Sequence, residues 1–261
     1  MIDVSFPLEE LEYYLLIMVR VSAFIFSAPF FSMNNVPRNV KVVLSVFIAF
    51  LLYHVISPRE YLQYETILEY TILVLKEAVA GLLIGLGAQF CMLILNFAGH
   101  LVDVEIGFSM AQTFDPQTRQ QVTVTSSYYT NAVMLMMLVT GMYQYLLQAL
   151  ADTFQLIPVG QEQFLLEDLY QGFLKFMGNY MILGFRICLP VFCVTLLLNC
   201  FLGIMAKVSP QLNMFAIGMQ MKVLVGLGVL VLTSAMLTGA ANIIFEQMKV
   251  MIVTFVKAMG G

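Results

Sequence analysis

Two stretches of this chain, Ala78–Val102 and Gln120–Ala151, contain no Asp, Glu, Lys or Arg. About 20 apolar residues suffice to carry an α-helix across the roughly 30 Å hydrocarbon core of a bilayer. Runs of this length therefore restrict the chain to membrane architectures. The rest of the sequence agrees. Of its 261 residues 61% are hydrophobic and 11% charged, whereas soluble domains carry about 25% charged residues. The net charge of -4 is scattered, with no basic block or acidic tail. That pattern argues against a nucleic-acid partner.

The hydrophobic pattern predicts an all-α integral membrane protein with about six long, partly broken helices. The expected spans are about 11–31, 40–56, 69–101, 122–151, 169–206 and 222–245, with an amphipathic tail to Gly261. Together they make a single membrane-embedded domain over 1–261. Several spans exceed what one crossing needs, so they must tilt, break or stand partly outside lipid. Pro190 inside the fifth span is an expected kink.

Catalytic and metal-binding patterns are missing. The two histidines, His54 and His100, are far apart, and no HExxH, GxSxG or P-loop occurs. Cys91, Cys188, Cys193 and Cys200 lie in apolar runs without zinc spacing and read as small buried hydrophobes. The expectation is a protein that is not an enzyme and has no cofactor and no metal.

Charges inside apolar spans carry more information. Arg20, Lys76, Glu77 and Arg186 all fall within such runs, and Arg186, Lys76 and Glu77 are the candidate buried charges. An Arg or Lys at a helix centre costs about 2.5–3.5 kcal/mol on insertion scales. Such residues face protein or water, as a solute or ion route or as a structural ion pair. Lys76 and Glu77 are adjacent, so on a helix they point in different directions. Gly81 and Gly85 have the spacing that lets helix backbones approach closely.

Between the third and fourth spans lies Gly107–Gln121, "GFSMAQTFDPQTRQQ". Gly107 and Ser109 permit tight turns, and the Asp115–Pro116 pair stops helix. Phe108, Met110 and Phe114 can close a hole. The glutamines tolerate water when it opens. Composition alone leaves two readings, a plain connector and a plug at membrane depth. Irregular backbone at that depth is tolerated only inside protein or beside water. A second connector, "SPQLNMF" (Ser209–Phe215), joins the fifth and sixth spans. Pro210 ends one helix there and Asn213 can bond nearby backbone. Gln211 and Phe215 complete this candidate assembly motif.

The ordered set "PFFSMNNVPRNVK", "KEAVAGLLIGLGAQF", "AGHLVDVEIGFSMAQTFDPQ", "DTFQLIPVG" and "LPVFCVTLLLNCFLGIMAKVSPQLNMFAIGMQMK" resembles the flagellar biosynthetic FliR family and its counterpart in type III secretion injectisomes. The likeness covers about residues 10–250. It implies a subunit of the protein export gate in the bacterial inner membrane at the flagellar basal body. The implied fold is a FliP-like part followed by a FliQ-like helical hairpin. The implied partners are FliP, FliQ, FlhB and FlhA, unfolded secreted substrates and membrane lipid. The implied role of Gly107–Gln121 is pore plug. The alternatives are the injectisome counterpart and, in a different class, a secondary transporter of a small solute. Two departures limit the transfer. Gly218-Met219-Gln220-Met221-Lys222 stands where the family often has Gly-Phe-Pro-Leu-Lys, and Gly141 is followed by Met142 rather than His.

Overall fold

The computed structural model describes residues 8–33, 35–56, 64, 66–108, 123–209, 211 and 213–260. The described chain is built from α-helices: α1 (Leu8–Ser27), α2 (Arg38–Val55), α3 (Ile67–Ile106), α4 (Val124–Val139), α5 (Met142–Leu156), α6 (Leu166–Val208), α7 (Met214–Thr233) and α8 (Leu237–Gly260). A short 3₁₀ turn, Ser234–Met236, lies between α7 and α8.

Helices α2, α3, α6 and the α7–α8 pair are long and apolar enough to cross a membrane. At 40 and 43 residues, α3 and α6 reach about 60 and 65 Å, roughly twice the hydrocarbon thickness. α6 continues through Pro190.

Three departures from the sequence reading have local causes. The expected fourth span is two helices, α4 and α5, bent by 71°. The break falls at Gly141, whose φ of 73° is left-handed backbone that glycine adopts without a Cβ clash. The expected first span is α1, which is not among the helices apolar enough to cross. Glu10, Glu12 and Arg20 interrupt its apolar run. The expected tail is no appendage, because α8 continues to Gly260 and buries Met248, Met251, Ile252, Phe255 and Met259.

The helices form two compact units. The first comprises 1–90, 140–176 and 246–261; the second comprises 91–139 and 177–245. In the first unit α1 packs antiparallel on α2. Tyr13 and Tyr14 near the start of α1 meet Tyr53 near the end of α2, and Phe26 lies near Lys41. Leu16, Ile17, Val21, Phe24 and Ile25 of α1 are fully buried. Glycines let α3 approach α1: a Cβ at Gly81 would overlap the Arg20 carbonyl, and one at Gly85 would overlap the Ser27 hydroxyl. The turn after α1 holds Phe30 at φ 72°, with its ring against Phe31 and Tyr143.

In the second unit α3 is the hub. Gly99 sits against the backbone of Ser126 on α4, and Ile106 fills the space beside Gly226 on α7. Phe97 lies over Gly184 of α6, between Tyr180 and Phe185. Along the part of α3 in this unit the buried positions Cys91, Leu95, Ala98, Val102 and Ile106 recur with helical period. Of the most apolar stretches, 56% is buried in α3, 17% in α6 and 11% in α7–α8.

Candidate functional site

Three features stand out: a charged cluster in the first unit, and a polar recess and an uncovered apolar face in the second. The cluster gathers Arg20 from α1, Glu77 from α3 and Glu162 from the connector after α5. All three are at most 2% exposed. Arg20 Nε donates to Glu77 Oε2 at 2.5 Å, and Nη2 donates to Glu77 Oε1 at 3.0 Å, a bidentate pairing. The same Nη2 donates to Glu162 Oε1 at 2.5 Å, and Nη1 to the Ile157 carbonyl at 3.2 Å. The guanidinium stacks 4.3 Å over the Phe154 ring. Gly160 N–H donates to Glu77 Oε1 at 2.9 Å. Glu162 Oε2 is buried without a hydrogen-bond partner.

The connector that carries Glu162 is tied at its far end. Gln163 N–H donates to the Met259 carbonyl and Leu165 N–H to the Ala258 carbonyl of α8, each at 2.9 Å. Lys76 is half-buried, and its Nζ reaches the Glu162 main-chain carbonyl at 3.4 Å. Lys76 and Glu77 thus leave α3 in different directions and meet the same connector, which crosses both.

The polar recess lies between α3 and α4. It measures about 510 Å³ and is lined by Asn96, His100, Thr123, Ser126, Ser127, Thr130 and Asn131. Asn96 Oδ1 accepts from the Ser126 and Thr130 hydroxyls, each at 2.9 Å. Nearby, buried Asp103 accepts from the Thr125 amide at 3.1 Å and from its hydroxyl. The carboxylate thereby satisfies an amide in the first turn of α4, which has no helical partner of its own.

Arg186 is exposed and lines a smaller, mostly apolar cavity of about 220 Å³ with Tyr129, Pro190 and Thr233 among its walls. Around it on α6, Ile182, Phe185, Leu189, Phe192, Leu197, Phe201 and Ile204 are exposed. The cysteines divide. Cys91 and Cys188 are buried, but Cys193 and Cys200 are exposed along α6, and none is in a disulfide. The expectation of four buried cysteines fails for those two, because α6 is little covered by its own chain.

Of the candidate plug residues, Gly107 and Phe108 are described. Gly107 has φ 94°, and a Cβ there would meet nothing within 4 Å among the described residues; Phe108 is half-buried. Ser109, Met110, Phe114, Asp115 and Pro116 lie outside the described residues. Of the candidate assembly motif, Gln211 is exposed and Asn213 caps α7, its side chain accepting from the Ala216 amide at 3.4 Å. Phe215 lies in the first turn of α7; Pro210 is outside the described residues. Glu162 was not singled out from the sequence. It reads there as one of several acids in a connector, with no periodicity to mark it as buried.

Long apolar helices, incompletely covered by their own chain, define an all-α membrane protein. Within that class the chain belongs to the bacterial export proteins, family 1, which it matches over residues 11–248. It is 30% identical over 235 residues to the flagellar biosynthetic protein FliR of Bacillus subtilis, covering 89% of this chain and 90% of that one. It is 30% identical to FliR of Buchnera aphidicola subsp. Schizaphis graminum, over 82% of this chain and 81% of the other. Against FliR of Escherichia coli the identity is 24%, over 88% and 87%.

Proposed function

We propose that this protein is a non-enzymatic subunit of the flagellar type III protein export gate. It forms with FliP and FliQ a pore in the bacterial inner membrane at the basal body, adjoined by FlhB and FlhA. Unfolded substrates cross that pore, and Gly107–Gln121 is its plug. The observation that carries this reading is the match over residues 11–248, together with FliR relatives aligned over four-fifths or more of both chains.

The structure supports it in two ways. The exposed Ile, Leu and Phe side chains of α6 form a long apolar face of the kind that other membrane helices cover. The recess of Asn96, Ser126, Thr130 and Asn131 places polar groups between two apolar helices, directly before and after the plug stretch in sequence. Polar groups in a membrane segment favour a wet or protein-lined path. A solute site joining Lys76–Glu77 with Arg186 finds less support, since Glu77 is already bonded to Arg20 and Gly160.

The test is deletion of the gene followed by co-purification of the restored, tagged protein in mild detergent. Loss of filaments and motility, with FliP and FliQ recovered alongside the tagged protein, is the expected result. Motile deletion cells, or a tagged protein that extracts alone, overturn the reading. For the plug, deleting Phe108–Phe114 should leave the purified complex assembled but conductive to small ions in a planar bilayer. A deletion complex as tight as the parent removes the plug assignment.

A further inference from the structure

The cluster around Arg20 has an uneven charge count. One buried guanidinium faces two buried carboxyl groups, and both accept from the same nitrogen, Nη2. The charged groups at this point are Arg20 from α1, Lys76 and Glu77 from α3, and Glu162 from the connector. Lys76 is half-exposed and reaches a main-chain carbonyl instead of a carboxylate. α5 contributes the uncharged Phe154 ring, and α8 contributes main-chain carbonyls, with Lys257 exposed. Two carboxylates this close cannot both remain ionised away from water without a second buried cation. Glu162 Oε2 supplies the independent sign: it is a buried carboxyl oxygen without a partner. An oxygen in that position is satisfied when a proton lies between it and a second carboxyl oxygen, and Glu77, held by the same Arg20 nitrogen, is the neighbouring carboxyl group.

We propose that Glu77, Glu162 and Arg20 form a proton-binding site in which the two carboxyl groups together hold one proton. The pair carries a single negative charge, which the guanidinium matches, and the proton is shared between the two carboxyl groups. The proton comes from water and returns to it. Loss of the proton leaves two like charges on one guanidinium and weakens the link from the connector to α1, while the bonds of Gly160 to α3 and of Lys76 to the connector remain.

The test uses full-length protein, purified with whatever membrane subunits accompany it. Glu162→Gln imitates the protonated side chain. It should keep the apparent Tm at neutral pH within about 2 °C of the parent. Arg20→Met and the double variant Glu77→Gln/Glu162→Gln should each lower it severalfold more. Infrared difference spectra between parent and Glu162→Gln should show the protonated-carboxyl C=O stretch in the parent alone. A Glu162→Gln variant as unstable as Arg20→Met, or a missing carboxyl band, would overturn the proposal. None of these readouts depends on export.

Discussion

The main-chain carbonyl of Arg20 occupies the space that a side chain on Gly81 would need. Backbone-to-backbone contact holds α1 against α3 at the level of the charged cluster, and it is the reason the short reach from Arg20 to Glu77 is possible. Gly81→Ala should therefore lower stability by about 1–3 kcal/mol, the usual result of overpacking a close contact. Gly203→Ala is the control, since a Cβ there meets nothing within 4 Å among the described residues. Thermal unfolding in detergent of the two variants side by side gives the comparison.

Arg20→Met should be among the most damaging single changes. It leaves Glu77 and Glu162 buried with no guanidinium, at a cost of about 3–5 kcal/mol. Arg20→Lys should recover only part of this, because one ammonium cannot span Glu77, Glu162 and the Ile157 carbonyl as the planar fork does. Membrane-inserted yield and apparent Tm both report the ranking parent, Lys, Met.

Asp103→Ala should loosen the start of α4. Removing the carboxylate leaves the Thr125 amide without an acceptor, worth about 1.5–3 kcal/mol for a bond to a charged group. Hydrogen exchange at Thr125–Ser127 should accelerate, while exchange within α5 stays at the parental rate.

Gly141→Ala should strain the bend between α4 and α5, because a Cβ at φ 73° costs about 1–2 kcal/mol. Gly141→Asn should cost less, as asparagine tolerates left-handed backbone better. The ordering of the two Tm values checks the assignment, and equal values would contradict it.

Arg186→Leu makes the α6 surface more apolar. If a neighbouring subunit supplies the acceptor for this exposed guanidinium, recovery of the complex should fall several-fold while helical content stays unchanged. Recovery equal to the parent would show that Arg186 makes no contact needed for assembly.

What could be read from the sequence follows the physics of each signal. The membrane class was legible because apolar composition acts over whole helices, and the buried face of α3 repeats with helical period from Ala80 to Ile106. The close approach of α1 and α3 was legible in kind, since Gly81 and Gly85 are spaced for it, but not in partner. The bend at Gly141 was hidden because its neighbours are apolar, and hydropathy does not report a positive φ. The charges of Arg20 and Glu77 were visible as anomalies within apolar runs. Glu162 was not, because a connector acid looks solvated until the connector's path is known. The exposure of Cys193 and Cys200 was likewise unreadable, since an apolar helix has the same composition whether its own chain or another covers it.

The cluster also orders events during synthesis. Arg20 and Glu77 leave the ribosome well before Gly160 and Glu162, and Gly160 is 83 residues beyond Glu77. At about 5–20 residues per second that gap lasts roughly 4–17 s. Throughout it, Glu77 is the one carboxylate of the cluster that the arginine can pair with. The second acid arrives last and shares a guanidinium whose charge Glu77 has already matched.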